Sequence, residues 1–294
     1  MQPSQILIQF GIRKARRIKQ IHKSAWSIDD TYILKRSSDL ESLRKSILLS
    51  YLLLREGIPV PEYIRTSDGA AFISVDDTHY VLMKKIMGRH IDPFKGNPYK
   101  NGVLLGRLVA ELHRAMGKIG PDFDCYDADY MLELDDWIMP KIREGQVPVR
   151  QEVIDYCYGF GPLYKTLPRQ LIHRDVHTSN MIFRGRKLSG WLDFDNSQIN
   201  VRLHDLCYLG VTMLVGNYDN ERRFAAWREI FRGVLDGYQC TFSLTEGEME
   251  AIPYMFIMAE LTFAAFFAKI GQMDIAAVCA EMAEWLYENR ERLL

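Results

Sequence analysis

Residues 171–195 read LIHRDVHTSNMIFRGRKLSGWLDFD and set polar side chains among residues with the pattern of buried strands. The apolar runs MIF and LSGWL, separated by Arg184-Gly185-Arg186, predict a β-hairpin. Asn180 directly precedes the first strand, and Asp193 directly follows the second. The two ends of a hairpin lie side by side, so we expect Asn180 and Asp193 to converge with Asp175. The chain must fold so that a short hairpin presents two carboxylates and an amide.

These three side chains suit one kind of chemistry. A carboxylate and an amide oxygen form a hard site for Mg²⁺, which completes its shell with water and phosphate oxygens. A further carboxylate can accept a proton from a hydroxyl nucleophile. Kinase-type sites combine H-R-D-x-x-x-x-N with a later metal-binding Asp, and the segment from His173 to Asn180 has this spacing. Because both motifs occur together, we prefer this interpretation to ordinary turn residues.

The rest of the chain predicts an α+β fold. Thr31–Lys35 has the pattern of a short strand, and residues 40–54 that of an amphipathic helix, followed by strand and turn patterns up to residue 86. After Gly88 the patterns are mostly helical, and Asn97-Pro98 is a typical helix start. Further helices are predicted at 129–143, 150–166, 203–216, 220–238 and 246–292.

Composition excludes several classes of protein. The 294 residues are 48% hydrophobic and carry a net charge of −1, so we expect no nucleic-acid or membrane partner. Five scattered cysteines without a C-x-x-C pair are typical of reduced thiols in the cytoplasm. The first residues lack the charge order of a signal peptide. The apolar run Tyr254–Ala268 contains Glu260 and predicts a core helix of a soluble protein. No pattern specifies an oligomeric state.

The chain resembles the aminoglycoside phosphotransferase and choline kinase-like family. His177 completes the family pattern H-x-D-x-H-x-x-N, where protein kinases have Lys after the Asp. The segments GIPVPEYIRTSDG (57–69) and LGRLVAELH (105–113) are also similar. The segment LDFDNSQINVRLHDLCYLG (192–210) resembles a variant in bacterial spore-coat kinase-like proteins. The resemblance implies a bilobal protein-kinase-like fold, with a β-rich N-lobe at 1–86 and a larger helical C-lobe at 87–294.

The resemblance also implies a function. It is the Mg²⁺-dependent transfer of the ATP γ-phosphate to a hydroxyl of a small molecule, such as an aminoglycoside, an amino alcohol or homoserine. Asp175 would orient or deprotonate the acceptor hydroxyl, Asn180 and Asp193 would hold Mg²⁺, and Lys35 would contact the α- and β-phosphates. The backbone of a linker would contact adenine; its residues are Met83, Lys84, Lys85 and Ile86.

Five further residues would have supporting roles under the same resemblance. His173 and His177 would support the catalytic loop through hydrogen bonds. Arg202 and Asp205 would form the structural pair that braces this loop. Asp195 would bind a second metal or, as we prefer, shape its own loop.

Two departures from the kinase pattern concern the nucleotide. Kinase-type sites pair the strand Lys with a Glu on the following helix, whereas here Glu41 is the only candidate. Glu41 equally suits a capping box that begins at Ser38. No glycine-rich loop precedes Lys35, so we expect phosphate contacts from backbone amides near 23–27 or from Lys23.

The sequence gives the least information about the acceptor-binding site. Residues 121–136 contain seven acids and no base. They form either a solvated helix start or an acidic wall for a cationic acceptor, which would include Asp127 and Asp129. Glu260, in an apolar helix, is either an acceptor-site residue or half of a buried salt bridge.

Two other classes of protein stay open. One is a kinase-fold protein without activity, including a structural protein of the spore-coat type, which the missing helix Glu favours. The other is a protein serine/threonine kinase, which the H-R-D form favours. Against the latter are His177 and the absence of A-P-E after Asp193.

Overall fold

The computed structural model describes residues 2–216 and 218–294, and it is an α+β protein. In the described residues the strands are β1 (Ile18–His22), β2 (Ala25–Ile28), β3 (Tyr32–Ser37), β4 (Tyr63–Ile64), β5 (Ile73–Val75), β6 (Thr78–Lys84), β7 (Arg169–Ile172), β8 (Met181–Arg184), β9 (Lys187–Trp191) and β10 (Gln198–Val201). The helices are α1 (Pro3–Gln9), α2 (Leu40–Arg55), α3 (Pro98–Ile119), α4 (Tyr130–Glu133), α5 (Met139–Glu144), α6 (Gln151–Gly159), α7 (Gly161–Tyr164), α8 (Leu203–Thr212), α9 (Glu221–Gln239), α10 (Glu246–Lys269) and α11 (Met273–Glu288).

These elements form two compact units. The first comprises the described chain up to Ile91 together with Thr178–Asn196, and the second comprises Asp92–His177 and Ser197–Leu294. The predicted division into lobes at 1–86 and 87–294 stays a prediction. The hairpin of β8 and β9 belongs to the first unit, although more than 85 residues separate it from the rest of that unit in sequence.

An antiparallel sheet with strand order β1-β2-β3-β6-β4 dominates the first unit, and β5 also pairs with β6. Its two central strands bury Leu34 and Leu82 completely, and α1 adds Ile6 and Leu7 to the same core. Central strands are buried on their inner face because alternate side chains point to the same side. The strand predicted at Thr31–Lys35 is therefore β3, at the centre of the sheet.

The start of α2 differs in detail from the predicted capping box. Asp39, not Ser38, is the N-cap, and its carboxylate accepts a hydrogen bond from the Ser42 N–H. Glu41 then lies inside the first turn, where an acid complements the helix dipole. The predicted helix is confirmed, but its N-cap lies one residue later than the predicted capping box places it.

The predicted hairpin is confirmed as β8 and β9, which pair antiparallel. Within the first unit, Arg89 forms an isolated bridge with Phe183, and the Trp191 N–H donates to the Pro59 carbonyl. Gly88 has a φ of +151°, and a Cβ there would lie 2.4 Å from the Phe183 carbonyl oxygen. These backbone contacts attach the hairpin to the segment that follows β6 and to the segment between α2 and β4.

The second unit is mostly helical, and its most extensive helix pair is α3 with α9. Asn97 caps α3 as predicted, accepting from the Lys100 N–H. The backbones approach closely at glycines: a Cβ on Gly106 would lie 2.0 Å from the Val234 carbonyl oxygen. In addition, β7 pairs antiparallel with β10. We predicted neither of these strands, because they are not adjacent in sequence and no short turn joins them.

Helix α10 is the one helix in the described part of the chain that has the length and composition to cross a membrane. Most of the apolar part of this helix is buried, and the helix packs against α8, α11 and α5. This packing is that of a core helix in a soluble protein, as the sequence predicted.

Candidate functional site

Lys35 forms the centre of a charged cluster in the first unit. It lies on β3, and its Nζ is 2.5 Å from Asp195 Oδ2 and 3.1 Å from Asp193 Oδ1. Burial alone would lower the pKa of Lys35, but the two carboxylates outweigh burial and raise it. The ammonium is therefore charged at any physiological pH and held at the loop that follows β9.

The partners of Lys35 are not on the helix that follows its strand. Glu41 is highly exposed and pairs with Lys45 at 2.8 Å, so it does not hold Lys35. Helix α2 instead reaches the loop through Ser42, whose hydroxyl donates to the Asp195 backbone carbonyl at 3.4 Å. In this chain Asp195 and Asp193 provide the negative charge that the helix Glu provides in the kinase pattern.

Asn180 and Asp193, the predicted metal ligands, are joined through the backbone of the first unit. Asn180 is buried at the end of a 3₁₀ turn, and its carbonyl accepts from the Leu192 N–H at 2.9 Å. Asp193 has a φ of +62°, a conformation that costs energy for a residue with a side chain and is common at functional sites. Its backbone is thus held in an unfavourable conformation beside Asn180.

The donor set is consistent with Mg²⁺. In residues 2–216 and 218–294, no group of three or more His, Cys, Asp or Glu side chains is arranged to hold a metal. Mg²⁺ needs no such cage, because it commonly takes one or two protein carboxylates and otherwise water and phosphate oxygens. An amide oxygen from Asn180 and a carboxylate from Asp193 are ligands of this hard, oxygen-only type.

The predicted adenine linker, residues 83–86, has part of its backbone already paired. The Lys84 N–H donates to the Glu62 carbonyl, and the Lys85 N–H donates to the Thr31 carbonyl. The side chains of Lys84 and Lys85 pair with Glu62 at 2.7 Å and Asp30 at 3.1 Å. Adenine contacts, which stay a prediction, would therefore come from other backbone groups of Met83–Ile86.

The segment before Lys35 forms a tight hairpin without glycine. Strands β1 and β2 are joined at Lys23 and Ser24, and His22 Nδ1 lies 3.1 Å from Ser24 Oγ. All five residues of β1 are exposed. The predicted phosphate contacts from residues 23–27 would thus come from a hairpin turn.

In the second unit, Asp205 fixes the predicted catalytic loop. Its carboxylate is fully buried and accepts hydrogen bonds from the N–H groups of His173 and Arg174, at 2.9 and 2.8 Å. His113 Nε2 is 3.0 Å away from it. Burial would raise the pKa of Asp205, but the hydrogen bond from His113 and the nearby His204 ring lower it far below its usual range. A permanently charged Asp205 therefore holds the loop backbone.

The predicted pairing of Arg202 with Asp205 is wrong. The Arg202 guanidinium forms a bidentate ion pair with Glu248, at 2.7 and 2.8 Å. Glu248 is also the capping-box acid of α10, together with Thr245. Arg202 therefore joins the starts of α8 and α10, and Asp205 alone of the two contacts the loop.

Asp175, the predicted catalytic residue, has a defined polar environment within the second unit. Its N–H donates to His173 Nδ1 at 3.3 Å, and its Oδ1 lies 3.5 Å from His177 Nε2. The Tyr208 hydroxyl also acts on the Asp175 carboxylate electrostatically. Burial raises the pKa of Asp175, but His177 and Tyr208 lower it overall. The carboxylate is therefore ionised and accepts hydrogen bonds only.

Tyr208 is a residue that the sequence interpretation missed. It lies three residues after Asp205 on α8, within the family-like segment 192–210. The ion pair between the Arg174 guanidinium and Glu133, at 2.7 Å, was also missed. Both partners are more than 30 residues away in sequence, so no local pattern identifies them.

The acceptor candidates have structural partners. Asp127 pairs with Arg169 at 2.5 Å, and Asp129 is the N-cap of α4, accepting from the Met131 N–H. A role of either in acceptor binding stays a prediction. For Glu260 the predicted buried salt bridge is wrong: none of the ion pairs among the described residues includes it, and its Oε1 is buried without a hydrogen-bond partner. Burial raises the pKa of Glu260 to about 8, so its carboxyl is largely neutral at pH 7.

Comparison with known proteins identifies a consistent group of enzymes. The sequence model of the phosphotransferase enzyme family (APH) matches residues 16–248. The homoserine kinase of Zymomonas mobilis is 26% identical over 233 residues, covering 76% of this chain and 68% of that enzyme. The homoserine kinase of Pseudomonas aeruginosa (strain PAO1) is 28% identical over 156 residues, covering 53% of this chain and 48% of that enzyme.

Solved structures with the same fold cover almost all of the chain. An amicoumacin kinase bound to AMP-PNP and Ca²⁺ has a TM-score of 0.72 at 15% identity, covering 98% of this chain and 94% of the other. A microcompartment-associated aminopropanol kinase has a TM-score of 0.68 at 16% identity, covering 99% and 98%. An aminoglycoside 2'-phosphotransferase complexed with GDP has a TM-score of 0.68 at 15% identity, covering 98% and 100%. The predicted α+β kinase-like fold is confirmed.

Proposed function

Because the chain belongs to the phosphotransferase enzyme family, we propose that it transfers the γ-phosphate of ATP to a hydroxyl of a small amino-bearing molecule. The family match confirms the predicted class, a small-molecule phosphotransferase that uses ATP and Mg²⁺. The observation that carries the proposal is Asp175, an ionised carboxylate in a loop whose backbone is fixed by Asp205. It is suited to accepting a hydrogen bond from an acceptor hydroxyl.

The proposed roles within the first unit concern the nucleotide. Lys35 is a charged donor for phosphate oxygens, and Asp195 holds its ammonium. Asn180 and Asp193 are the residues that would hold Mg²⁺, which when bound neutralises charge on the phosphates. The backbone of Met83–Ile86 contacts the adenine. Phosphoryl transfer needs little covalent help from a protein, so these residues act by positioning and by charge.

The acceptor that we propose to test first is homoserine. The curated relatives above are homoserine kinases, and the solved neighbours include an aminopropanol kinase and an aminoglycoside phosphotransferase. Homoserine, aminopropanol and aminoglycosides all contain a hydroxyl group and an amine. The acidic segment 121–136 of this chain supports a cationic acceptor, because its charges attract an ammonium group. We also propose a cytoplasmic location, which is supported by the five free cysteines.

The proposal is tested by ADP release from MgATP with homoserine, aminopropanol, ethanolamine, choline and aminoglycosides as acceptors. We expect one acceptor to stimulate ADP release in the wild type and not in Asp175→Asn, because an amide cannot accept the hydroxyl proton. The variant should still bind MgATP, because Asp175 is not among the residues that we propose to hold Mg²⁺ or the phosphates.

Three results would contradict the proposal. Equal stimulation in wild type and Asp175→Asn would exclude Asp175 as the acceptor-activating group. Binding of MgATP without turnover of any of these acceptors would favour an inactive kinase-fold protein. Radiolabel transfer from ATP to protein bands, rather than to a small molecule, would favour a protein kinase.

A further inference from the structure

The first unit has a surface groove that contains none of the residues with a proposed role in phosphoryl transfer. It is formed by α2 and by the segment from Pro61 to Phe72, which includes β4, and its volume is about 580 Å³. All of its lining residues belong to the first unit. A cavity of this volume is typical of small-molecule sites, so the groove is large enough for a ligand of its own.

Apolar side chains of α2 form one wall of this groove. Leu48, Tyr51 and Leu54 follow one another at intervals of three residues, which places them on one side of the helix. They are 50%, 59% and 40% exposed. A helix of a globular protein normally turns its apolar side chains to the core, as α2 does with Leu49 and Leu53. Helix α2 therefore presents a second apolar side to the groove.

The floor of the groove is part of the packed interior of the first unit. Tyr63 and Phe72 are partly buried, and they pack against a hydrophobic cluster that contains Val81 and Met83 of β6. Ile47 of α2 packs against the same cluster. Packed side chains of this kind have fixed positions. The groove is therefore preformed, and a ligand does not have to open it.

Two arginines in the lining give the groove a positive charge that is not neutralised. The Arg44 guanidinium lies 5.6 Å from the centroid of the Phe72 ring, and Arg65 donates to a backbone carbonyl at 2.8 Å. Among the described residues, neither guanidinium pairs with a carboxylate. Glu62, the acid in the lining, pairs with Lys84 at 2.7 Å. Both guanidinium groups can therefore bind an anion, for which their planar set of donors is suited.

We propose that this groove is a second ligand site, which binds a small aromatic anion with a carboxylate or sulfonate group. The aromatic body packs on Tyr51, Leu54 and Phe72, and the anionic group bonds to Arg44 and Arg65. A small molecule fits better than a protein partner, because a stable protein interface needs about 800 Å² of surface on each side. The site is independent of the proposed phosphoryl transfer, so either proposal can fail without the other.

The test uses 1-anilinonaphthalene-8-sulfonate as the probe, because it is an aromatic anion whose fluorescence rises in an apolar environment. We expect saturable binding to the wild type, and we expect MgATP not to displace the probe. The matched ligand is N-phenyl-1-naphthylamine, which has the same rings without the sulfonate. It should bind more weakly than the sulfonate, because it cannot bond to the arginines.

Variants of the groove then assign the probe to this site. In the double variant Arg44→Gln/Arg65→Gln, we expect the Kd for the sulfonate to rise about tenfold and that for the naphthylamine to stay unchanged. Leu54→Glu places a carboxylate in the groove and should weaken binding of both probes. All three replaced side chains are exposed, so the variants should fold. The matched control is Arg36→Gln, which removes an arginine at the same 5.6 Å distance from the Trp26 ring, outside the groove.

The outcomes separate this site from the alternatives. Weaker sulfonate binding in the double variant, with wild-type binding in Arg36→Gln, would support the proposal. Equal affinity of the wild type for the two probes would show that no cation holds the anionic group, and would overturn it. Wild-type affinity in Leu54→Glu, or displacement of the sulfonate by MgATP, would place the probe outside the groove and would also overturn it.

Discussion

At the scale of single residues, the protein keeps the kinase-type Lys but changes what holds it. Lys35 bonds to Asp195 and Asp193 on the loop after β9, whereas Glu41 bonds to Lys45 on its own helix. Half-buried ion pairs depend on both partners, because a lone charge keeps the cost of burial without the compensation. The proposed orientation of Lys35 towards phosphate therefore depends on Asp195, two residues after the proposed metal ligand.

This arrangement predicts the effect of Asp195→Asn on nucleotide binding. The variant removes one of the two carboxylates that hold the Lys35 ammonium in place. We therefore expect the Kd for MgATP to rise about tenfold. Fluorescent-nucleotide titration measures this without an acceptor. Glu41→Gln is the matched control and should bind MgATP like the wild type. Weakened binding in Glu41→Gln together with normal binding in Asp195→Asn would reverse our assignment of the partner of Lys35.

At the scale of elements, the contact between α3 and α9 supports the second unit. Glycines on both helices let the backbones approach to van der Waals contact, and Gly106 and Gly237 face carbonyl oxygens of the other helix. Helix α3 also carries His113, whose ring lies 3.0 Å from Asp205. Through His113, this close packing positions the carboxylate that holds the catalytic loop.

Gly106→Ala is expected to destabilise the protein. Its Cβ would lie 2.0 Å from the Val234 carbonyl oxygen, and the helices must separate to admit it, at a cost of about 2–4 kcal/mol. Gly117→Ala on the same helix meets only Gln170 Oε1 at 3.8 Å and should stabilise by about 1 kcal/mol through helix propensity. Urea unfolding of both variants measures the two changes. Equal stability of Gly106→Ala and the wild type would contradict this description of the contact.

At the scale of the whole molecule, the charges with a proposed role are distributed over both units. Lys35, Asp193 and Asp195 lie in the first unit, and Asp175 and Asp205 lie in the second. Glu260 is a different case, a buried carboxyl of the second unit whose Oε1 has no hydrogen-bond partner and which has no cation among its described partners. Its effect is on the stability of the protein as a function of pH.

The pKa of Glu260 is raised from 4.5 to about 8 by burial, so the folded protein holds this proton more tightly than the unfolded chain. The resulting contribution to stability is complete below pH 4.5 and is lost as the pH rises through about 8. Glu260→Gln imitates the neutral form and should remove this part of the pH dependence, giving a higher Tm than the wild type at about pH 8.5.

Glu250→Gln, an exposed position on the same helix, is the control and should follow the wild-type pH dependence. Thermal unfolding from about pH 5 to about pH 9 makes the comparison. Identical pH profiles for Glu260→Gln and the wild type would show that Glu260 is not a buried titrating group.

Local features of this protein were predictable from the amino-acid sequence. The hairpin β8–β9, the Asn97 cap of α3, the strand that carries Lys35 and the kinase-like fold were all predicted and then confirmed. Each depends on residues close together in the chain: alternation of apolar side chains, turn residues, a cap, and a motif with fixed spacing. Such patterns act over one turn or one strand pair, so neighbouring residues suffice to produce them.

The choice of partners was decided by the tertiary structure. Asp195 pairs with Lys35 across 160 residues, Glu248 with Arg202 across 46, and Tyr208 acts on Asp175 from another element. A charged or polar side chain bonds to whichever complementary group the packed backbone brings within about 3 Å, and several candidates in the chain have the same chemistry. Sequence spacing cannot rank those candidates, because the distance between them exists only once the helices and sheets have packed.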